Sequence, residues 1–342
     1  MISFSCTPLL ASYQQLSSTE GIKMLKNITS VFLILFSSQL VFGWGSKGHQ
    51  IVAYVGANLT TDGDAFWKAN LEPLRKLTTV PDRIWKAPAT KDGEANTHWF
   101  QVDAYYQPSE YNQIIRFPSI YSDAVTKYGA SMIDINGVAP WRIRQLYQLA
   151  FYNFTRGDMK KGLEYVGAMT HYIGDLAQPL HVTENYDGQQ SGNKGIHGYF
   201  ETAVITDEIK IRADVEKRAQ RLLQDANFLS QFNGNLMDTV LLEVERSVKV
   251  RDQILANDDK YGRSKNGASV QLNLAKDRMA DAAATTAMIL NQLWRDTGLI
   301  AQATPMTVQD PKWVKPDFNN LPKDRMTPVR KRFLSDEEDC SL

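Results

Sequence analysis

Cysteine is nearly absent from this chain of 342 residues: there are two, Cys6 and Cys340, one near each end. That excludes a disulfide framework and any thiolate-ligated metal site in the body of the sequence. Net charge is missing as well, because 38 basic residues balance 38 acidic ones. No bulk field therefore draws the chain to nucleic acid or to an anionic membrane. No apolar run approaches the length that crosses a bilayer, and neither strand alternation nor an internal repeat is visible. Histidine is scarce too, at five, which makes the position of each one informative. With 43% hydrophobic and 22% charged residues, the chain has ample material for a large folded core.

The first 43 residues read as a leader. Lys26 precedes a short apolar run from Val31 to Phe36, which ends in Ser37-Ser38-Gln39 and is followed by Val41-Phe42-Gly43. This is the pattern of a cleaved secretory signal over 24–43, with Met24 a plausible start. The rival, an uncleaved anchor, suffers from the shortness of the run. The expected localisation is secreted or periplasmic, and cleavage after Gly43 makes Trp44 the first residue of the exported protein. Asn58-Leu-Thr and Asn153-Phe-Thr fit the glycosylation pattern.

From Trp44 onward the pattern is helical, and the expected fold class is all-α, a single helical domain over 44–298. Ile51, Val52, Val55 and Leu59 follow helical spacing over 49–59. The stretch 82–103 looks irregular, and 104–139, with Pro108, Pro118, Gly129 and Gly137, reads as mostly loop with one or two short helices. Pro140 opens a helix that Gly157 ends, and a second runs from Met159 to Ala177 and stops at Pro179. After a loop at 185–196, helices are expected near 199–228, 234–257 and 266–296. The tail 299–342 is rich in proline and charge, including Asp336-Glu337-Glu338-Asp339. It is expected to wrap the surface or, more simply, to be loose.

The chemistry lies in the histidines, His49, His98, His171, His181 and His197. In His171-Tyr-Ile-Gly-Asp175 and His197-Gly-Tyr-Phe-Glu201, an imidazole and a carboxylate stand four residues apart. On a helix they share one face. Pro179 ends the first helix, so that His181 can turn back towards a second ion. Imidazole nitrogen combined with carboxylate oxygen suits zinc better than calcium or magnesium.

These segments resemble the superfamily that joins zinc-dependent phospholipase C to the fungal single-strand-specific nucleases. The match is carried by His171-Tyr-Ile-Gly-Asp-x-x-Gln-Pro-Leu-His181 and by the opening Trp44-Gly-Ser-Lys-Gly-His49. The resemblance implies three zinc ions. One is held by Asp82, His98, His171 and Asp175. A second is held by the amino nitrogen and carbonyl of Trp44, by His49 and by a bridging Asp175. The third is held by His181, His197 and Glu201. It further implies hydrolysis of phosphodiester bonds by a zinc-bridging hydroxide that Asp82, the expected catalytic residue, also orients. Trp99, Gln101, Arg83 and Lys86 are the expected substrate contacts.

The tryptophan opening and Trp99 favour the nuclease branch, with single-stranded DNA or RNA as substrate and 5′-phosphomononucleotides as products. Glu201, where the nucleases usually carry aspartate, and the short loop before His197 lean towards the alternative, a phospholipase C acting on choline phospholipids. Trp85 stands where the nucleases place a phosphate-contacting lysine, and Gln101 replaces a base-contacting aspartate. A third possibility is a binding protein that keeps zinc only for stability. No obligate protein partner is implied. Mass spectrometry of the exported protein is expected to give Trp44 as its first residue; any other start leaves the second zinc without its backbone ligands.

Overall fold

The computed structural model describes residues 44–299 and 303–320. The signal-peptide reading, both cysteines and the acidic end of the tail fall outside the described residues. Among those described there are helices and no strand, as the all-α expectation requires. The longer helices are α1 (Ser46–Asn58), α2 (Asp64–Ala69), α3 (Leu71–Leu77), α4 (Tyr121–Tyr128), α5 (Ala130–Asn136), α6 (Ala139–Phe154), α7 (Met159–Ala177), α8 (Glu208–Leu222), α9 (Leu236–Val248), α10 (Arg251–Tyr261) and α11 (Lys265–Thr297). No described helix is long and apolar enough to cross a membrane.

Local signals set the boundaries. Pro140 sits in the first turn of α6, where its missing N–H costs nothing. The Asp158 carboxylate accepts from the Lys161 N–H at 2.9 Å and caps α7. At the other end Gln178 turns extended ahead of Pro179. Ser264 caps α11, and Gly298 closes it in the left-handed conformation at φ 62°.

Three expectations need correction. The stretch 104–139 is largely helical: a 3₁₀ segment, Pro108–Arg116, precedes α4 and α5. Its start is fixed by a capping box between Gln107 and Glu110. The helix expected over 199–228 is broken into a π turn, Tyr199–Ala203, then α8 and one further turn, Ala226–Leu229. The caps are Asp207 and Asp225, whose side chains accept from the Lys210 and Asn227 N–H groups. The helix expected over 234–257 divides into α9 and α10, with no side-chain cap at the break.

The tail is expected to wrap the surface or to be loose. Over 303–320 it has no helix, yet Met306, Val308, Trp313, Val314 and Phe318 pack on the apolar core. Its backbone accepts from Asn70, Trp85 and Gln145 at Thr304, Pro311 and Lys315.

Helix α7 lies at the centre. It packs against α1, α3, α6, α9 and α11. Its Leu163, Val166, Met169, Tyr172, Ile173 and Leu176 belong to one apolar cluster. Ala177 belongs to another, built with Trp44, Ile51, Val52 and Val55. At Gly167 a Cβ would lie 2.2 Å from the Cβ of Leu77, so a side chain there would force α3 and α7 apart.

The C-terminal carbonyls of α7 end in a buried ionic network. Ser247 Oγ donates to the Leu176 carbonyl at 2.6 Å, and Arg278 Nε donates to that of Ala177 at 3.1 Å. Arg278 also pairs with Glu243 and Asp281, both at 2.7 Å, and Arg246 bridges the same two carboxylates. A guanidinium at a helix C-terminus meets the negative end of the helix dipole and satisfies carbonyls the helix leaves open. Arg278→Ala leaves the two buried carboxylates to Arg246 alone and opens the Ala177 carbonyl, and is expected to cost on the order of 3–5 kcal/mol. Ser247→Ala is expected to cost about 1–3 kcal/mol. Urea unfolding of the metal-free protein measures both, and a loss below about 1 kcal/mol for Arg278→Ala contradicts the role given to this network.

Candidate metal centre

Every histidine of the chain, with three carboxylates, converges beside the C-terminal half of α7. His171 and Asp175 come from α7 itself, His49 from α1, Asp82 from the π turn Pro81–Trp85, and His98 from the end of a 3₁₀ turn. His181, His197 and Glu201 come from the turns that follow α7. Ligand atoms fall within 4.8 Å of one another in three groups: His49, His171 and Asp175; Asp82, His98 and His171; and His181, His197 and Glu201. The first two share His171. His171 has one free ring nitrogen, because its Nδ1 donates to the Thr78 carbonyl, whereas the two oxygens of Asp175 face both groups, Oδ1 towards His49 and Oδ2 towards His98 and His171.

Asp175 stands at the junction. Its carboxylate lies 3.0 Å from His98 Nδ1, 3.3 Å from His171 Nε2 and 3.4 Å from His49 Nε2. It is fully buried. In the third group His197 Nε2 is 2.8 Å from Glu201 and 3.1 Å from His181 Nε2. The groups adjoin, since the His98 carbonyl accepts from His181 Nδ1 at 2.6 Å.

The nitrogens that face away from the groups are held by the protein. His171 Nδ1 donates to the Thr78 carbonyl at 2.9 Å, and His197 Nδ1 to the Tyr186 carbonyl at 2.9 Å. These bonds fix the tautomer and leave Nε2 as the free electron pair, the arrangement metal-binding histidines need. His98 is reversed: Nδ1 faces the group and Nε2 stands 3.4 Å from Glu94 Oε1.

The closeness of α1 to α7 depends on Gly174. A Cβ there would meet His49 Nδ1 at 2.9 Å and the Trp44 ring at 3.5 Å. Trp44 is buried against Phe200, and the Gly45 N–H donates to the Glu201 carbonyl at 3.2 Å. Trp44 therefore lies beside His49 and Glu201, two of the candidate ligands.

Whether this arrangement suits metal ions is decided by its unpaired atoms. Both ring nitrogens of His49 and Oδ1 of Asp175 are buried with no hydrogen-bond partner. Buried polar atoms without partners are costly and few, and imidazole nitrogens beside carboxylate oxygens are the donors zinc takes. The residues fit. Burial and the neighbouring His49 ring push His171 down to about 3, so its imidazole is neutral and able to ligate. Burial penalises the Asp175 charge, yet His171 and His181 hold the carboxyl well below the usual range. Burial also opposes charge on His98 and His197, but Asp175 and Glu94 raise the first and Glu201 the second.

The expected substrate contacts divide. Lys86 reaches the site, its Nζ 2.6 Å from Asp82 Oδ1. Arg83 instead pairs with Asp310 of the tail at 2.7 Å and is about half exposed. Trp85 is buried and donates to the Pro311 carbonyl. Trp99 is half-buried, its Nε1 donating to the Ile135 carbonyl at 3.2 Å. It lies against Gly137, where φ is 95° and a Cβ would meet the Trp99 carbonyl at 2.1 Å. Gln101 is half-buried, its N–H donating to the Asn136 carbonyl. Asn58 and Asn153, the glycosylation candidates, both lie in helices with their side-chain amides donating, to Glu216 and to the Leu149 carbonyl.

One residue was missed from the sequence. Glu94 is fully buried and accepts from Arg142 at 3.0 Å, Trp313 at 2.7 Å, Thr97 at 3.1 Å and the Tyr172 hydroxyl. Burial penalises its charge, but Arg142 and His98 bring the carboxyl down to about 2. The signal was present, since Glu94 and His98 repeat the four-residue spacing of the other pairs.

No family profile matches the sequence. Endonuclease 2 of Arabidopsis thaliana is 21% identical over 55% of this chain and 61% of its own length. The resemblance is to the superfamily of zinc-dependent phospholipases C and single-strand-specific nucleases. A probable serine protease of Bradyrhizobium tropiciagri is 26% identical over 53% of this chain and 34% of its own. The chain thus spans about a third of one relative and about three-fifths of the other. Among solved structures, an alpha-toxin from Clostridium absonum aligns at 14% identity with a TM-score of 0.42, covering 76% of this chain and 68% of that one. An alpha-toxin from an avian strain of Clostridium perfringens aligns at 16% identity and 0.42, covering 75% and 65%.

Metal analysis by plasma mass spectrometry tests the grouping. Asp175→Asn is expected to lose the ions of the first two groups and keep that of the third, whereas His197→Ala loses only the third. Unchanged metal content in Asp175→Asn would sink the assignment.

Proposed function

We propose that the protein is a secreted zinc-dependent phosphodiester hydrolase, and within that class a nuclease of single-stranded DNA or RNA. The observation that carries the reading is the convergence of five buried imidazoles and their carboxylates in three adjoining groups, with ring nitrogens and a carboxylate oxygen left unpaired. His49 and Asp175 would hold one zinc, with the freed backbone of Trp44. Asp82, His98 and His171 would hold another, and His181, His197 and Glu201 a third. Bound zinc supplies acidified water at neutral pH and positive charge for a phosphate diester.

The chain's own residues do the rest. Asp82 is the carboxylate of the first two groups that reaches solvent, with its side chain 12% exposed. That places it to receive a proton from an attacking water and to aim it. Lys86, held beside Asp82, offers an ammonium to a phosphate oxygen. Trp99 offers a flat face at the rim, which stacking on a base requires. The identity with a plant endonuclease supports the nuclease branch.

A phospholipase C is the second reading, favoured by Glu201 and by the exposed apolar side chains of Met132 and Ile135 near Trp99. The protease name of the other relative would need a histidine paired to a nucleophilic hydroxyl. His98, His171 and His181 instead bond to carboxylate, carbonyl oxygens and one another.

The test uses the exported protein on single-stranded DNA, on RNA and on phosphatidylcholine vesicles, each with and without chelator. Chelator-sensitive cleavage of nucleic acid to 5′-phosphate products is expected, with Asp82→Asn slower by about a hundredfold or more. Turnover of the phospholipid alone establishes the second reading, and turnover of neither overturns both.

A further inference from the structure

The tail segment that packs across the domain touches the metal centre from behind, and it does so at one group only. Of the ligands in the group Asp82, His98 and His171, the helix α7 carries only His171. The other two stand on short turns, which hold their side chains less firmly than a helix does. Both turns are held by the tail.

The turn of Asp82 is the π turn Pro81–Trp85. Trp85 Nε1 donates to the Pro311 carbonyl at 2.9 Å, and Arg83 pairs with Asp310 at 2.7 Å. The turn of His98 is backed by Glu94, and Trp313 Nε1 donates to Glu94 Oε2 at 2.7 Å. The Trp313 ring also covers Gly93, where a Cβ would come within 3.3 Å of it. A third tie runs through side chains: Gln145 Nε2 donates to the Lys315 carbonyl at 2.9 Å, and its Oε1 accepts from Arg142, which pairs with Glu94. None of these ties reaches His181, His197 or Glu201.

We propose that residues 310–315 act as a strap that positions Asp82 and His98, with Trp313 as the positioning residue that acts through Glu94, so that tight zinc binding at the Asp82, His98 and His171 group depends on the tail. The inference rests on the reading that these groups hold zinc. A carboxylate behind a ligating imidazole fixes the ring and raises its basicity, and losing such a partner costs about ten- to a hundredfold in metal affinity. Trp313 supplies one of the hydrogen bonds that aim that carboxylate. The third group, untouched by the strap, serves as an internal reference.

The experiment follows zinc transfer from the full exported protein to a chromophoric chelator and resolves the classes of ion by affinity. Trp313→Phe keeps the ring and removes the N–H. It is expected to loosen one class of zinc by about tenfold, leaving the class that is lost in His197→Ala unchanged. Gln145→Leu releases the Lys315 carbonyl and is expected to loosen the same class by a smaller factor. It decides the matter should Trp313→Phe not fold. Wild-type affinity in every class for both variants, or equal loosening of all classes, overturns the strap while leaving the zinc reading intact. A wild-type protein that takes up no zinc overturns both.

Discussion

A carboxylate without access to water governs this molecule. Asp175 faces three imidazoles at 3.0, 3.3 and 3.4 Å and sits in the last turn of α7, at the negative end of the helix dipole. Burying an ionised carboxylate costs several kcal/mol, and the dipole adds to that cost. The protein offsets part of it on the far side, where Arg278 and Ser247 donate to the carbonyls of Ala177 and Leu176. What remains uncompensated is the near side, where one Asp175 oxygen and both nitrogens of His49 lack partners. A site so arranged is stabilised most by cations, and the need for them is built into the packing of α7.

That packing explains why the centre was legible in the sequence. His171 and Asp175 are spaced for one helical face, Asp158 and Pro179 bracket the helix, and Gly174 leaves room for the neighbouring His49. Each of these signals is local. The same holds for His197 and Glu201, although Glu201 stands on a π turn rather than on the long helix expected over 199–228. Asp207 and Asp225 divided that helix, because a side-chain oxygen that accepts from the backbone two or three residues on competes with the helical ladder. Periodicity alone gave those caps too little weight.

The long-range partners were not legible. Glu94 meets Arg142 across 48 residues and Trp313 across 219, and nothing in either neighbourhood announces the pairing. Composition left the tail open between wrapping the surface and lying loose for a similar reason. Proline and charge mark a segment that forms no helix of its own, but residues 303–320 need none. Trp313, Val314 and Phe318 find an existing apolar surface, and the backbone carbonyls find indole and amide donors. Arg83 shows the same effect in a single side chain: its place beside Asp82 suggests substrate, and Asp310 takes it instead.

The absence of net charge bears on the choice between substrates. A nuclease that worked by long-range attraction would carry a basic face, since phosphate contacts dominate non-specific affinity. Here 38 cations balance 38 anions, and the ammonium closest to the centre, that of Lys86, is itself paired with Asp82 at 2.6 Å. On the proposed reading, positive charge for a phosphate diester would come from bound metal, concentrated at the reacting group. Such a centre favours substrates that bring one accessible diester to it, such as a flexible single strand or a lipid headgroup, over a rigid duplex held by its backbone. Trp99 is half-buried and pinned at its indole nitrogen by the Ile135 carbonyl. Its orientation is fixed, and the face it presents suits a base by stacking and a choline headgroup by cation–π attraction, so the choice between substrates rests on the rest of the site.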